Sequence, residues 1–423
     1  MNLTEAAQAV LTFCERDGVF LSEDLTQVEE AVLTAVRRIG AKAVELRMAR
    51  QKLGYEGPRR PCSCGQAQHF VNHRPKTIAT QLGEIRLNRA YYHCSACGES
   101  AVPYDRRVGL GSGPESVGLA QAAVWLGKQD VFESASATLF RLTGQRLSAS
   151  TIQRLTESVG GVVAREEEKA VSAMRDWKSP PAEVSPETLY VLVDGVLVHQ
   201  DGWHEAKVVV CYWYDKDGHR HSRYAVRFEN AAEFVPFVWS LACRCGLEKA
   251  KRVVLLGDGA EWIWRHIGGL LKEAVWIVDW YHACEHVWAC GRVLHGENTD
   301  ETRAWAKEIE GLLWEGQVRA ILERLRTART RTRAKTKRAA LQALITYIEN
   351  QDARLAYDKF RAAGLDIGSG MVESACKHLV ALRMKRSGMR WSKAGSQNVL
   401  SIRAAWLNGE WDAVWNNHPL AAA

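Results

Sequence analysis

The stretch TLYVLVDGVLV, residues 188–198, is an apolar, β-branched run that reads as a strand carried to Asp194, with a glycine directly after the acid. Downstream, HEAKVVVCYWY (204–214) and RHSRYAVRF (220–228) form two more strand-like runs. DKDG between them supplies the Asp and Gly conformations of a hairpin turn. A helical pattern follows at 231–243, then a strand in KRVVLLGDG that reaches Asp258. A helix over EWIWRHIGGLLK (261–272), a strand in AVWIVDWYH (274–282) and a further helix complete the series.

Three antiparallel strands followed by alternating helices and strands is the order of a ribonuclease H-like α/β fold. In that order the first and fourth strands are neighbours, so Asp194 and Asp258 are expected to project from adjacent strand ends. Two carboxylates so close repel each other unless cations lie between them, and at neutral pH both are ionised. Hard oxygen ligands suit Mg2+ or Mn2+, and a pair of such ions can activate a water or a 3′-hydroxyl against a phosphodiester. The other role open to the two acids is to cap strand-to-loop transitions, which the glycine after each allows.

A third acid would complete such a site. Asp279 and Glu285 in DWYHACEHV are candidates, and Asp279 with His282 can form a charge and hydrogen-bond pair that steadies it. Glu373 in GSGMVESACK is another. It opens a helix, whose N-terminus favours negative charge, and the cations after it can hold phosphates over the metals.

Upstream, residues 1–58 show apolar residues at helical spacing (Val28, Val32, Val36, Ile39) and read as two helices, an accessory or dimerisation element. Residues 59–106 carry Cys62, Cys64, Cys94 and Cys97 at the two ends of a strand-like segment. Four thiolates can hold one tetrahedral Zn2+ in a zinc-ribbon-like unit. The C-x-C half is one residue tighter than usual, so either that knuckle is compact or His69 or His73 replaces a thiolate. Cys14, Cys211, Cys243, Cys245, Cys284, Cys290 and Cys376 read as buried thiols. In residues 107–175 three helical segments end in SASTIQRLTESVG, where Ser150 and Gln153 match a capping box and Gly144 closes the helix before. The spacing fits a helix-turn-helix with Thr151, Gln153 and Arg154 exposed to DNA, although any three-helix bundle looks similar. RDWKSPPAEVSPET (175–188), with three prolines, reads as a linker.

The 423 residues allow about two to four domains. With 47% hydrophobic and 25% charged residues, and no apolar run long enough for a span, the composition argues against a membrane protein and for a cytoplasmic one. The acidic start MNLTEAAQAVLTFCERDG does not read as a signal peptide. A net charge of +7 is modest, but its distribution is not. RLRTARTRTRAKTKRA (324–339), with Arg329, Arg331 and Arg333, contains no acid. A second cluster, Lys377, Arg383, Lys385, Arg386, Arg390 and Lys393, follows Glu373. Such blocks are the footprint of phosphate neutralisation. Trp305, Trp314 and Trp391 are candidates for base stacking or for the core.

The motifs LGEIRLNRAYYHCSACG (82–98), VDGVLV (193–198), LLGDGAEWIW (255–264), DWYHACEHVW (279–288) and GSGMVESACKHLVALRMKRSGMRW (368–391) span the chain. Together they resemble bacterial insertion-sequence transposases of the DDE type, most closely the ISKra group, relatives of Mutator-like transposases. The resemblance implies Asp194, Asp258 and Glu373 as the catalytic, metal-holding triad, and the Asp279 and His282 pair as support. It also implies a helical insertion over 291–365 between a first core part, 186–290, and a last, 366–423. The expected partners are double-stranded DNA, as terminal inverted repeats and target, and further copies of the chain. Rival readings are a DNA-binding regulator with an inactive nuclease-like domain, and a metal-independent glycosidase built on a carboxylate pair.

Overall fold

The computed structural model describes residues 2–16, 24–111, 113–174 and 179–416, a mixed α/β chain. It divides into two compact units, Met1–Val162 with Gly409–Ala423, and Val163–Asn408. Residues 175–178, the start of the expected linker, lie outside the described residues, and 179–187 form neither helix nor strand.

In the first unit, α1 (Leu3–Arg16) and α2 (Leu25–Ala49) precede an antiparallel sheet of β1 (Arg59–Pro61), β2 (Ala67–Thr80), β3 (Gly83–His93) and β4 (Ser100–Ala101), ordered β1-β2-β3-β4. Ile78, Ile85 and Leu87 of the β2–β3 hairpin bury against Ala41 of α2 and against Tyr104 of α3 (Pro103–Arg107). Withdrawing each such aliphatic side chain from water contributes about 1.5–3 kcal/mol. Helices α4 (Val117–Gly127), α5 (Phe132–Thr143) and α6 (Ala149–Met174) follow. Gly144 ends α5 in the left-handed region (φ 72°) that its sequence anticipated. The cap of α6 differs from the capping box: Ser148, not Ser150, accepts from the Thr151 N–H (3.1 Å), and Gln153 donates to Glu157 (2.8 Å). α6 also continues well past 160, through Gly160 and Gly161, to Met174.

The second unit holds, among the described residues, a five-stranded sheet of β5 (Thr188–His199), β6 (Trp203–Tyr214), β7 (Arg220–Arg227), β8 (Arg252–Gly257) and β9 (Val275–Val278), ordered β7-β6-β5-β8-β9. β5, β6 and β7 run antiparallel, while β8 and β9 are parallel to β5. Leu189 to Val193 of β5 are almost wholly buried, as their apolar run requires. α7 (Ala231–Arg244) links β7 to β8. The expected regular helix at 261–272 instead contains a π-helical turn, Ile263–Gly268, in which Gly268 lies so close to Trp276 that a Cβ would meet the indole at 2.9 Å.

After β9 come α8 (Trp280–His295), α9 (Asp300–Trp314), α10 (Val318–Arg331), α11 (Lys335–Gln351) and α12 (Tyr357–Ala362). Then α13 (Gly370–Ala375) runs into a second π-helical stretch, Cys376–Ala381, followed by α14 (Leu382–Met384) and α15 (Lys393–Leu407). α16 (Trp411–Asn416) belongs to the first unit, its Trp411 edge-on to Trp125 at 5.1 Å.

Candidate active site and cysteine cluster

The sheet register brings the two aspartates together. β5 and β8 pair in parallel up to Val193 opposite Gly257, so Asp194 and Asp258 are the next residues along the two neighbouring strands. Asp194 is not at a strand end, however. β5 continues to His199 because its second half pairs with β6 alone, Asp194 opposite Val208 and His199 opposite Trp203. The acid therefore lies where parallel pairing stops and the hairpin carries on.

One cleft of about 480 Å3 is lined by Asp194, Asp258, Asp279, Glu285 and Glu373, together with Tyr281, His282 and Ser369. Asp194 accepts from the Gly195 N–H (2.6 Å) and from the Cys376 thiol (3.4 Å). Burial pushes its pKa up against these hydrogen bonds, and the charges of Asp258 and Glu373 add to the rise. Asp258 accepts from the Ala260 N–H (2.9 Å), and Gly259 between them has φ +96°. The Glu373 carboxylate accepts from the Ser369 hydroxyl (2.8 Å). These are wall positions of a shared cleft, not a collapsed cluster. Among the described residues, no three of the acids bring carboxylate oxygens within 4.8 Å of one another.

Asp279, only 1% exposed, departs from the expected pairing with the His282 ring. It caps α8 by accepting from the His282 backbone N–H (2.8 Å), and its other oxygen accepts from the Ser369 N–H (2.6 Å). Asp279 thus ties the end of β9 to the loop that presents Glu373. Burial raises its pKa, with those hydrogen bonds opposing. The His282 ring instead lies 3.5 Å from Glu285 and edge-on to His286, whose own ring stacks on Tyr347 at 3.9 Å. Burial holds the His286 pKa below the ordinary value.

Ser369, Cys376, Tyr281 and His286 were missed in the sequence. Ser369 is signalled only by its flanking glycines, Cys376 by standing one helical turn after Glu373, and His286 by standing one turn after His282.

The cations divide. Lys377, Lys385, Arg386 and Arg390 are exposed, as are Arg331, Arg333 and Gln153. Arg383 is a correction: it is fully buried, with its guanidinium 4.8 Å from the centre of the Trp391 ring, so it cannot meet DNA. The fold turns it inward because Trp391, itself buried and donating to the Met384 carbonyl (3.3 Å), packs back onto that helix. Arg154 is bonded to the buried Glu115 (2.5 Å), and Arg329 donates to Gln342. Part of the basic block is neutralised in place, Arg324 by Glu308 and Arg326 by Glu349. Trp314 is covered by the Arg361 guanidinium at 3.8 Å and lies edge-on to Trp280.

In the first unit, the thiols of Cys62, Cys64, Cys94 and Cys97 all lie within 4.8 Å of one another, without a histidine. Cys62 to Cys97 is 3.6 Å and Cys64 to Cys94 is 3.7 Å, close to the roughly 3.8 Å edge of a tetrahedron with Zn–S bonds of about 2.3 Å. The C-x-C knuckle is therefore compact enough for all four sulfurs to hold a structural zinc. The Cys97 backbone N–H leads in pulling Cys94 down to about 7, while Cys62, despite the Cys64 N–H, is pushed up to about 12 by Glu99 and burial. One corner is thus ready to ionise near neutral pH.

The molecule is an α/β protein with a carboxylate-lined cleft at the meeting of antiparallel and parallel strands, and a separate four-cysteine cluster. It belongs to the uncharacterised protein family UPF0236, whose model matches residues 20–417. No curated protein matches the chain. No described helix is long and apolar enough to cross a membrane.

Proposed function

We propose that the chain is an insertion-sequence DNA transposase that binds terminal inverted repeats and cleaves and rejoins DNA strands at a DDE site on a ribonuclease H-like core. The observation that carries this reading is the register that sets Asp194 beside Asp258 on the central strands, with Glu373 on the wall of the same cleft. Asp194, Asp258 and Glu373 would hold Mg2+ or Mn2+. The fit rests on charge: the cleft is lined by five carboxylates and by no lysine or arginine, so it favours cations, and burial with the neighbouring carboxylates pushes Asp194 up. Such ions supply activation of a water or 3′-hydroxyl and stabilisation of the leaving oxygen.

The protein's own part is to orient. Gly195 and Cys376 fix the Asp194 carboxylate, Ala260 fixes Asp258, and the Asp279–Ser369–Glu373 series fixes the third acid. Lys377, Lys385, Arg386 and Arg390 would grip phosphates beside the cleft, and Arg331 and Arg333 would extend that grip on the insertion. The zinc-ribbon-like cluster and the α5–α6 helix-turn-helix, through Gln153, would bind the repeats. DNA binding brings copies of the chain together on paired ends.

The test is a nicking assay with full-length protein, labelled DNA from the ends of the encoding element, and Mg2+. Wild type is expected to nick and join, and Glu373→Gln to bind but not cleave. Binding without any nicking by wild type would favour a DNA-binding regulator with an inactive core.

A further inference from the structure

The last helices of the segment between β9 and Glu373 reach back to the strand ends that carry the acids. Gln351, 6% exposed at the end of α11, donates its amide N–H to the Gly259 carbonyl (3.0 Å). Its amide oxygen accepts from Arg354 (2.6 Å), and Arg354 lies over the rings of Trp264 and Trp276 at 4.6 and 5.4 Å. The arginine donor thereby fixes which end of the amide faces Gly259. One turn earlier, the Tyr347 ring lies against the same turn, its hydroxyl 3.5 Å from where a Gly259 Cβ would be, with His286 stacked on it. Burial, then the nearby Asp258 charge, push the Tyr347 phenol up, so it stays protonated. Tyr357 of α12 grips the neighbouring strand end, donating to the Val278 carbonyl (3.0 Å) beside Asp279.

We infer that α11 is built into the active site, with Gln351 and Tyr347 acting as positioning residues for Asp258. Asp258 precedes Gly259, whose φ of +96° favours glycine, and among the described residues its side chain is held by the Ala260 N–H alone. A carbonyl pinned by Gln351 and a ring backing the turn set the direction of the carboxylate. This rests on the reading of the cleft as a divalent-cation site. It assigns the helical segment a local duty there, in addition to any contact with DNA.

The experiment is Mn2+ binding to full-length protein, followed by electron paramagnetic resonance, with melting in chelator measured in parallel. Gln351→Met keeps the volume and loses the donor, and is expected to raise the apparent Mn2+ Kd about tenfold, the lower end of what outer-shell ligands contribute. Nicking by this variant should recover as Mn2+ is raised, with DNA affinity unchanged. Tyr347→Ala, which removes the backing ring, should weaken Mn2+ in the same direction. Wild-type Mn2+ affinity in both variants overturns the inference, as does a lowered melting temperature with an unchanged Mn2+ constant. If wild type and Asp194→Asn bind Mn2+ equally, the metal reading of the cleft fails first, and the positioning role with it.

Discussion

Replacing Arg383 by alanine separates a cation that holds the fold from cations that hold DNA. The side chain is fully buried and its guanidinium faces Trp391 at 4.8 Å. Truncation removes two buried methylenes, Cγ and Cδ, at ~0.8 kcal/mol each. It also removes a desolvated cation–π contact of about 1–2 kcal/mol. Relief of the buried charge offsets part of this, leaving a loss of about 1–3 kcal/mol. For a unit of this size that lowers the melting temperature by roughly 2–12 °C. Lys385→Ala, at an exposed position of the same segment, should leave melting unchanged. It should instead reduce the slope of log affinity against log salt by about 0.9, the share of one phosphate contact. The assays are thermal unfolding of each variant and a salt titration of DNA binding, scored per folded molecule. An Arg383→Ala protein that melts like wild type but binds DNA with a reduced salt slope would refute the placement.

Three further outcomes follow from the two sites. Native mass spectrometry should find a single zinc per chain, lost in Cys94→Ser, and a strong chelator should lower the melting of the unit that contains the cluster. Asp194→Asn should raise melting of the metal-free protein at neutral pH. The folded-state pKa of Asp194 is above the ordinary carboxylate value, so the wild type loses stability as pH rises through that interval, and the gain from Asn should vanish below about pH 3.9. Equal melting of the two proteins in chelator at pH 7 would contradict the buried-charge cost. Raised Mg2+ should reverse the order, stabilising wild type but not Asp194→Asn, as ligand linkage requires.

The adjacency of Asp194 and Asp258 was legible because strand order follows from which runs are joined by a hairpin and which by a helix. The level of Asp194 within β5 was not, since a strand paired on one side only in its second half looks the same in sequence as one that stops. The cysteine spacing was legible and its compact knuckle was resolved by the sulfur positions. Asp279 was legible as a neighbour of the other acids but not as a cap, because its partners are backbone N–H groups, one of them from Ser369, ninety residues away. Arg383 could not be told from Lys385 or Arg386 by composition. Its burial depends on how the chain returns with Trp391, and a run of cations carries no mark of which one turns inward. The capping error at α6 arose because Ser148 and Ser150 are chemically equal candidates, and the turn geometry chose between them.

The π-helical stretch Cys376–Ala381 has a consequence for how this sequence can change over time. On one side of it Glu373 faces the cleft, and on the other Arg383 is buried against Trp391. Removing one residue to restore an ordinary helix would turn everything beyond it by about 100° relative to Glu373. The acid and the arginine could not then both keep their places. Apart from Cys376 and Lys377, substitutions can drift through this stretch, but insertions and deletions cannot, so in related chains its length should vary far less than its composition.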